Sequence, residues 1–398
     1  MTMQEKKALR AQQRAEKQRK KEESYYLASQ WTLMARKLGR HHLARVSLVI
    51  LAILYLSALF ADFIAPSNLT AYNSKAQSLP PTQIHLFHEG EFIGPFVYES
   101  AWETKKMSVK EMQAAKKAAQ EAGIPFSTKQ IVTDTTTPHK LRLFVEGPAY
   151  KWLGLIESNI HLFGTESGVG VYLYGTDTMG RDLFSRLLLG SQVSLTIPFA
   201  GTAISFVLGI LLGSISGYFG GKIDNVIQRV IEVLNSLPSL PLWMALSAAI
   251  PPNIPPVQMY LMITVILSLI GWTGLARVVR GKFMSLKNED FVVAARLAGV
   301  SDMKIILKHL VPGFMSYLIV SLTMGIPGMI IGETSMSFLG LGIQAPATSW
   351  GVLLKEAQSV TNIAQNPWCL IPLIYVVIAV LAFNFLGDGM RDAADPYK

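Results

Sequence analysis

Apolar residues in this chain fall in long unbroken runs rather than short alternating stripes. A membrane-crossing helix needs roughly 20 mostly apolar residues, so the gaps between charges locate the candidates. Arg45 to Asp62 encloses 16 uncharged residues, and Phe63-Ile64-Ala65-Pro66 continues the apolar character. Arg186 to Lys222 encloses 35, enough for one long span around 191–218. Glu232 to Arg277 encloses 44, enough for two, parted by Pro251-Pro252-Asn253-Ile254-Pro255-Pro256, a helix-breaking stretch suited to a tight loop. Lys308 to Glu333 encloses 24, and Glu356 to Asp388 encloses 31. The pattern predicts an all-α polytopic membrane protein with six transmembrane helices.

Residues 65–174 break the pattern: they are polar and mixed. Ser108-Val109-Lys110-Glu111 reads as a capping box opening a helix that Gly123 can close. Leu141–Val145 has strand character. These signs predict a small α+β insertion between helices 1 and 2; a long exposed loop with one helix is the plainer alternative. The chain then divides into a basic tail (1–41), transmembrane helix 1 (42–64), the insertion with an entry segment (65–186), and a core (187–398) whose loop 277–312 projects from the membrane.

Composition agrees. Half the residues are hydrophobic and 16% are charged, against about a quarter charged in soluble domains. The net charge is +9, and residues 1–45 carry twelve Lys/Arg against four Asp/Glu. With half its residues hydrophobic, the chain is too apolar for a disordered tail protein or a nucleic-acid binder, whose basic residues would line a folded surface. Loop 276–310 has seven Lys/Arg against three acids. Basic short loops stay in the cytoplasm, so tail and loop share that side, as six spans require, with both termini cytoplasmic and 65–186 outside. Residues 6–23 read as a solvated helix on the cytoplasmic side. The first 45 residues hold no apolar run, so a cleaved secretory signal is not expected. One cysteine, Cys369, allows no intrachain disulfide and no cysteine-cluster zinc site. The histidines show no metal-ligand spacing.

Span two repeats small residues every fourth position: Gly201, Ser205, Gly209, Gly213, Gly217 and Gly221. At helical spacing they form one stripe against which another helix can pack closely. Span five carries Gly325, Pro327, Gly328 and Gly332, which predict a kink, followed by Glu333. An ionisable residue at membrane depth is a pathway candidate; a hydrated end of the span is the competing reading. Beyond it, 338–346 are too broken for a span and suggest a short re-entrant or interfacial element.

Residues 288–312 are the most informative. Asn288 or Asp290 can cap a short helix, and Gly299 can end it with a left-handed residue. Ser301 can cap a second helix that Pro312 closes off. Ala294, Ala295 and Ala298 make one flank small, suited to a partner's groove; a helix that merely joins two spans fits the same residues. Gly220-Gly221-Lys222-Ile223 lacks the first glycine and the final hydroxyl of a phosphate-binding loop and reads as a turn, so no ATP hydrolysis is expected here.

The run Ala294-Ala295-x3-Gly299-x12-Pro312 resembles the cytoplasmic signature of inner-membrane permeases of binding-protein-dependent ABC importers. Tyr174-Gly-Thr-Asp-Thr-Met-Gly-Arg-Asp-Leu-Phe-Ser-Arg186, Ser337-Phe-Leu-Gly-Leu-Gly342, Ser349-Trp-Gly351 and Leu386-Gly-Asp-Gly-Met-Arg-Asp392 are similar to the C-type permease of oligopeptide, dipeptide and nickel importers. The resemblance covers about 174–396, and span one by position. It departs where Val293 replaces the signature's usual glutamate, and in the length of 65–174.

The resemblance implies one half of a translocation pathway in a bacterial inner membrane, completed by a B-type permease. It implies two cytoplasmic ATPases, which use ATP and Mg, and an extracytoplasmic binding protein that delivers peptide. Asp290, Phe291, Val293, Ala294, Ala295, Arg296, Ala298, Gly299 and Pro312 would form the ATPase-coupling set around helix 290–298. Gly175, Thr176, Asp177, Gly180, Arg181, Asp182 and Arg186 would form the entry segment, with exposed ion pairs contributing about 0–1 kcal/mol each. No cofactor, metal, nucleic acid or catalytic residue is implied for this chain. The alternatives are the same machinery carrying nickel complexes or another small solute, a ligand-sensing membrane protein, and an intramembrane enzyme.

Overall fold

The structure is a computed structural model that describes residues 30–104, 108–121, 129–251 and 254–395. A short helix α1 (Gln30–Leu38) leads into α2 (His42–Leu59), which His41 caps through its ring nitrogen to the Ala44 N–H. The insertion follows as a four-stranded antiparallel meander, β1 (His85–His88), β2 (Glu91–Thr104), β3 (Lys129–Trp152) and β4 (Ile156–Thr165), in that order across the sheet. Helix α3 (Val109–Glu121) branches from it. The capping box holds there: the Ser108 N–H donates to Glu111 Oε2 at 2.8 Å and the Glu111 N–H to Ser108 Oγ at 3.4 Å. Gly123 lies outside the described residues.

The core begins with α4 (Leu183–Phe219), 37 residues long. After the turn at Gly220 and Gly221, both at positive φ, come α5 (Gly221–Ser236) and α6 (Ser239–Ala248). Then follow α7 (Pro256–Leu286), α8 (Asp290–Leu297), α9 (Met315–Phe338), α10 (Trp350–Lys355) and α11 (Ile371–Ala394). Among the described residues, α2, α4, α7, α9 and α11 are each long and apolar enough to cross a membrane, and α5 with α6, bent by 89°, brings the number of crossings to six if the pair is one broken span.

That bend corrects the expectation of two straight spans between Glu232 and Arg277. The break falls at Leu237-Pro238, where proline supplies no N–H and holds its predecessor out of the helical region. The first half of the crossing is also more polar than charge gaps could register. Asp224 on α5 accepts two hydrogen bonds from Arg280 on α7, each 2.5 Å, and so carries its charge into the bundle with a partner.

The glycine stripe is the seam between α4 and α7. A Cβ at Gly213 would lie 2.5 Å from the Ala276 carbonyl, and one at Gly217 2.6 Å from that of Arg280. Ser205 and Ser268 stitch the same seam by donating to the Ser268 and Gly201 carbonyls at 3.1 and 3.2 Å. Gly221 falls outside the seam, in α5. Helix α11 packs between α2 and α9. Lys37 donates to the Asp395 carbonyl at 2.8 Å, so α2 starts where α11 ends, as an even number of crossings demands.

Candidate functional site

The end of α4, α8 and the start of α9 form one corner of the bundle. Val292 is fully buried on the inner face of α8 against Tyr218, Phe283 and Leu310. The guanidinium of Arg296 lies 5.6 Å from the centre of the Tyr218 ring and donates to its hydroxyl at 3.2 Å. That hydroxyl donates in turn to Asp302 at 2.5 Å, tying α8 to the end of α4 and to the next turn.

Gly299, at φ +76°, ends the helix. The Val300 N–H reaches the Ala295 carbonyl at 3.1 Å and the Gly299 N–H reaches that of Arg296 at 3.0 Å. This paired closure needs a left-handed residue, which an L side chain opposes. The corner therefore holds one shape.

Three details of the corner differ from the sequence reading. Glu289, not Asn288 or Asp290, stands at the cap position, and its side chain makes no capping bond. Ser301 likewise caps without its side chain. Pro312 does not stop the second helix; the helical run continues through Val311–Gly313 and breaks at Phe314, at φ −132°.

The alanine flank also divides. Ala295 turns inward against its own core, whereas Ala294 and Ala298 are exposed beside Asp290, Val293 and Leu297. Leu297 is 85% exposed. In the sequence it carries no signal, because a single leucine in an apolar chain is silent until its direction is known. Phe291 is exposed as well.

At the opposite end of α4 the seven entry-segment residues gather in one turn. Thr176 bridges Asp182, and its hydroxyl accepts from the Leu79 N–H at 2.7 Å. Gly175 and Gly180 both sit at positive φ, and a Cβ on Gly175 would lie 2.6 Å from the Leu79 carbonyl. Asp177 accepts from the Met179 and Arg181 N–H groups at 2.8 and 2.9 Å, from Arg181 Nε at 2.6 Å, and from Arg186. Glu356 receives Arg181 and Arg186 at 3.0 and 2.9 Å.

Asp177 and Arg186 are 1% and 4% exposed, which overturns the expectation of exposed pairs. Two guanidiniums and two carboxylates balance one another; Arg181 and Glu356 keep 19% and 21% of their side chains exposed, and removing a partner of the buried Asp177–Arg186 pair strands a buried charge. Asp182 caps α4, accepting from the Phe184 and Ser185 N–H groups at 3.2 and 3.0 Å. Burial pushes its carboxyl up to about 6. Burial, and then the charge of Asp177, raise that of Glu356. Glu356 was not singled out in the sequence because its partners lie 170 residues or more away.

Glu333 is fully buried, so the hydrated-end reading falls. Ser337 and Ser194 donate to its carboxylate at 2.8 and 3.3 Å. The Trp350 N–H donates to Ser194 Oγ at 2.9 Å, and the Trp350 indole to Ser191 at 3.0 Å. Glu333 thus joins α4, α9 and α10. Ser349-Trp350-Gly351 docks into the same joint, with Gly351 close enough to Thr334 that a Cβ would lie 2.5 Å from its carbonyl. Helix α9 ends at Phe338, and residues 339–346 run as turns and irregular backbone.

Comparison with known proteins bears on this geometry. Residues 209–397 match the family described as the inner membrane component of binding-protein-dependent transport systems. Residues 29–81 match the N-terminal transmembrane domain of oligopeptide transport permease C. The chain is 41% identical to the oligopeptide transport system permease protein OppC of Haemophilus influenzae, over 57% of this chain and 71% of that one. It is 39% identical to the dipeptide transport system permease protein DppC of Bacillus subtilis, over 56% and 68%. It is 40% identical to OppC of Escherichia coli K12, over 58% and 73%. Among solved structures, an inward-facing form of the MetNI methionine ABC transporter aligns at 18% identity with a TM-score of 0.42, over 53% of this chain and 96% of that one.

Proposed function

The chain belongs to the inner membrane components of binding-protein-dependent transport systems, among the C-type oligopeptide and dipeptide permeases, and from that premise we propose that it forms half of a peptide pathway driven through α8. It is a multi-pass subunit of an ABC importer in the inner membrane, a transport permease rather than an enzyme. The other half of the pathway is a B-type permease. Two ATPases, which bind ATP and Mg, dock on the tail side, and a binding protein delivers peptide to the insertion side. Both termini are cytoplasmic, in keeping with the +8 excess of residues 1–45, twelve cations against four acids.

One observation carries the coupling role. Helix α8 presents an unpartnered face (Val293, Ala294, Leu297, Ala298) while its other face is locked to the span ends through Val292, Arg296 and Tyr218. A small-sided face seats in a groove, and a rigid closure passes the ATPases' motion to α4 and α9 as rigid-body rocking. The absent glutamate at Val293 removes one charge contact but leaves this face and the glycine corner intact. At the other end, the Asp177–Arg181–Arg186–Glu356 cluster sets the geometry of the entry, and Glu333 holds three pathway-forming elements in register.

Affinity purification of the tagged chain from its native membrane tests this. The wild-type chain should bring down a second permease and ATPase subunits. Leu297→Asp should lose the ATPases and keep the second permease. ATPases retained undiminished by that variant would overturn the role of α8.

A further inference from the structure

We propose that the tip of the β3–β4 hairpin is a lipid anchor, inserted into the apolar edge of the bilayer leaflet on the insertion side. Helix α2 has 18 residues, a length of about 27 Å, which barely spans a hydrocarbon core of roughly 30 Å. Its last residue, Leu59, therefore sits at the membrane boundary. The Trp152 indole donates to the Leu59 carbonyl at 2.8 Å, and its ring stacks on Phe60 with centroids 5.6 Å apart. The end of β3 is thereby pinned at the boundary, where amphipathic tryptophans settle.

The tip itself is apolar. Leu153, Leu155 and Ile156 are 58%, 84% and 56% exposed. The Leu155 N–H bonds the Trp152 carbonyl at 3.0 Å, closing a turn within the three-residue connection whose central residues Leu153 and Gly154 stand at φ +51° and +72°. Such a turn favours Asn-Gly, and leucine resists its first position. An apolar side chain stands there against the preference of its own backbone, which points to a use for the side chain.

Leu153 and Gly154 face Tyr55, Leu59 and Leu195 across a groove of about 490 Å³. Tyr55 and Leu195 belong to membrane-crossing helices, so the tip is level with the spans and continuous with an uncovered apolar side of α2, where Ile53 and Leu56 are exposed. Lys151 and Glu157, paired at 2.8 Å and exposed, flank the tip, and in this placement they would meet lipid headgroups. Apolar residues bounded by charges and aromatics at an interface are the pattern of a segment lying in that interface. The anchor would hold the sheet at a fixed height above the entry.

The test uses the chain assembled with its co-purifying subunits in lipid vesicles, in a Cys369→Ser background. Leu155→Cys carries an environment-sensitive fluorophore, and Gly90→Cys in the β1–β2 turn is the comparison. Lipids brominated in the acyl chain should quench the probe at 155 several-fold more than the probe at 90, and aqueous iodide should do the reverse. Iodide quenching at 155 equal to that at 90 would overturn the proposal, placing the tip in water. Protection of 155 from both quenchers would overturn it as well, because protein and not lipid would then cover the tip.

Discussion

Gly299 offers the cleanest test of the corner. Its φ of +76° lies in the left-handed region, and a Cβ built there meets nothing within 4 Å. The cost of a substitution is thus conformational, with no steric component from neighbours. An L residue in this conformation costs about 1–2 kcal/mol, with alanine toward the low end and β-branched valine toward the high end. Asparagine tolerates the conformation better than either. A change of that size lowers the ratio of closed to unwound corners roughly 5–30-fold. The bonds at stake are Val300 to Ala295 and Gly299 to Arg296, at 3.1 and 3.0 Å. Membrane insertion should be untouched, because Gly299 is exposed and outside every span. Uptake of labelled peptide by reconstituted importer should fall in the order Gly, Asn, Ala, Val, at constant protein level. Wild-type uptake by Gly299→Val, or Asn as poor as Val, would refute the reasoning, since only the left-handed backbone separates these residues here.

Other perturbations probe the joints. The Asp182 carboxyl is raised to about 6 from 3.8, so the folded state disfavours its charge: its contribution is fullest below about 4 and lost as pH climbs through 6. The melting temperature in detergent should fall between pH 4 and 7 more steeply for wild type than for Asp182→Asn, and parallel curves would contradict this. Gly213→Val overpacks the α4–α7 seam, where a Cβ meets the Ala276 carbonyl at 2.5 Å; a loss of about 1–3 kcal/mol is expected, read as a lower melting temperature. Glu333→Ala leaves the Ser194 and Ser337 hydroxyls without their acceptor, costing about 1–3 kcal/mol, whereas Glu333→Gln keeps an acceptor and should approach wild type. Glu333→Lys buries an unpaired charge and should reduce the amount of chain in the membrane on immunoblots.

Much of this protein was legible before folding, for reasons that particular residues make plain. The apolar gaps from Arg186 to Lys222 and from Lys308 to Glu333 declare α4 and α9, because lipid tolerates a backbone only when its polar groups are satisfied within the segment. The four-residue glycine spacing declares a close-packing face on α4, though not that α7 fills it, and Gly299 declares a helix end, because both are properties of a few adjacent positions. The capping box at Ser108 is local in the same sense.

What only the tertiary structure decided depends on direction and on partners far along the chain. The third crossing starts in the charged helix α5, hidden because Asp224 carries its charge inward to Arg280, 56 positions away. The exposed pairs expected at the entry are a buried cluster, since burial depends on Glu356 arriving from across the fold. Ala295 and Leu297 exchange apparent roles, one turned into the core and one out to solvent, because a helix shows its faces only once something packs on one of them. The period of the sequence names the elements; which charges meet, and which apolar side chains are left uncovered, is settled only when the elements touch.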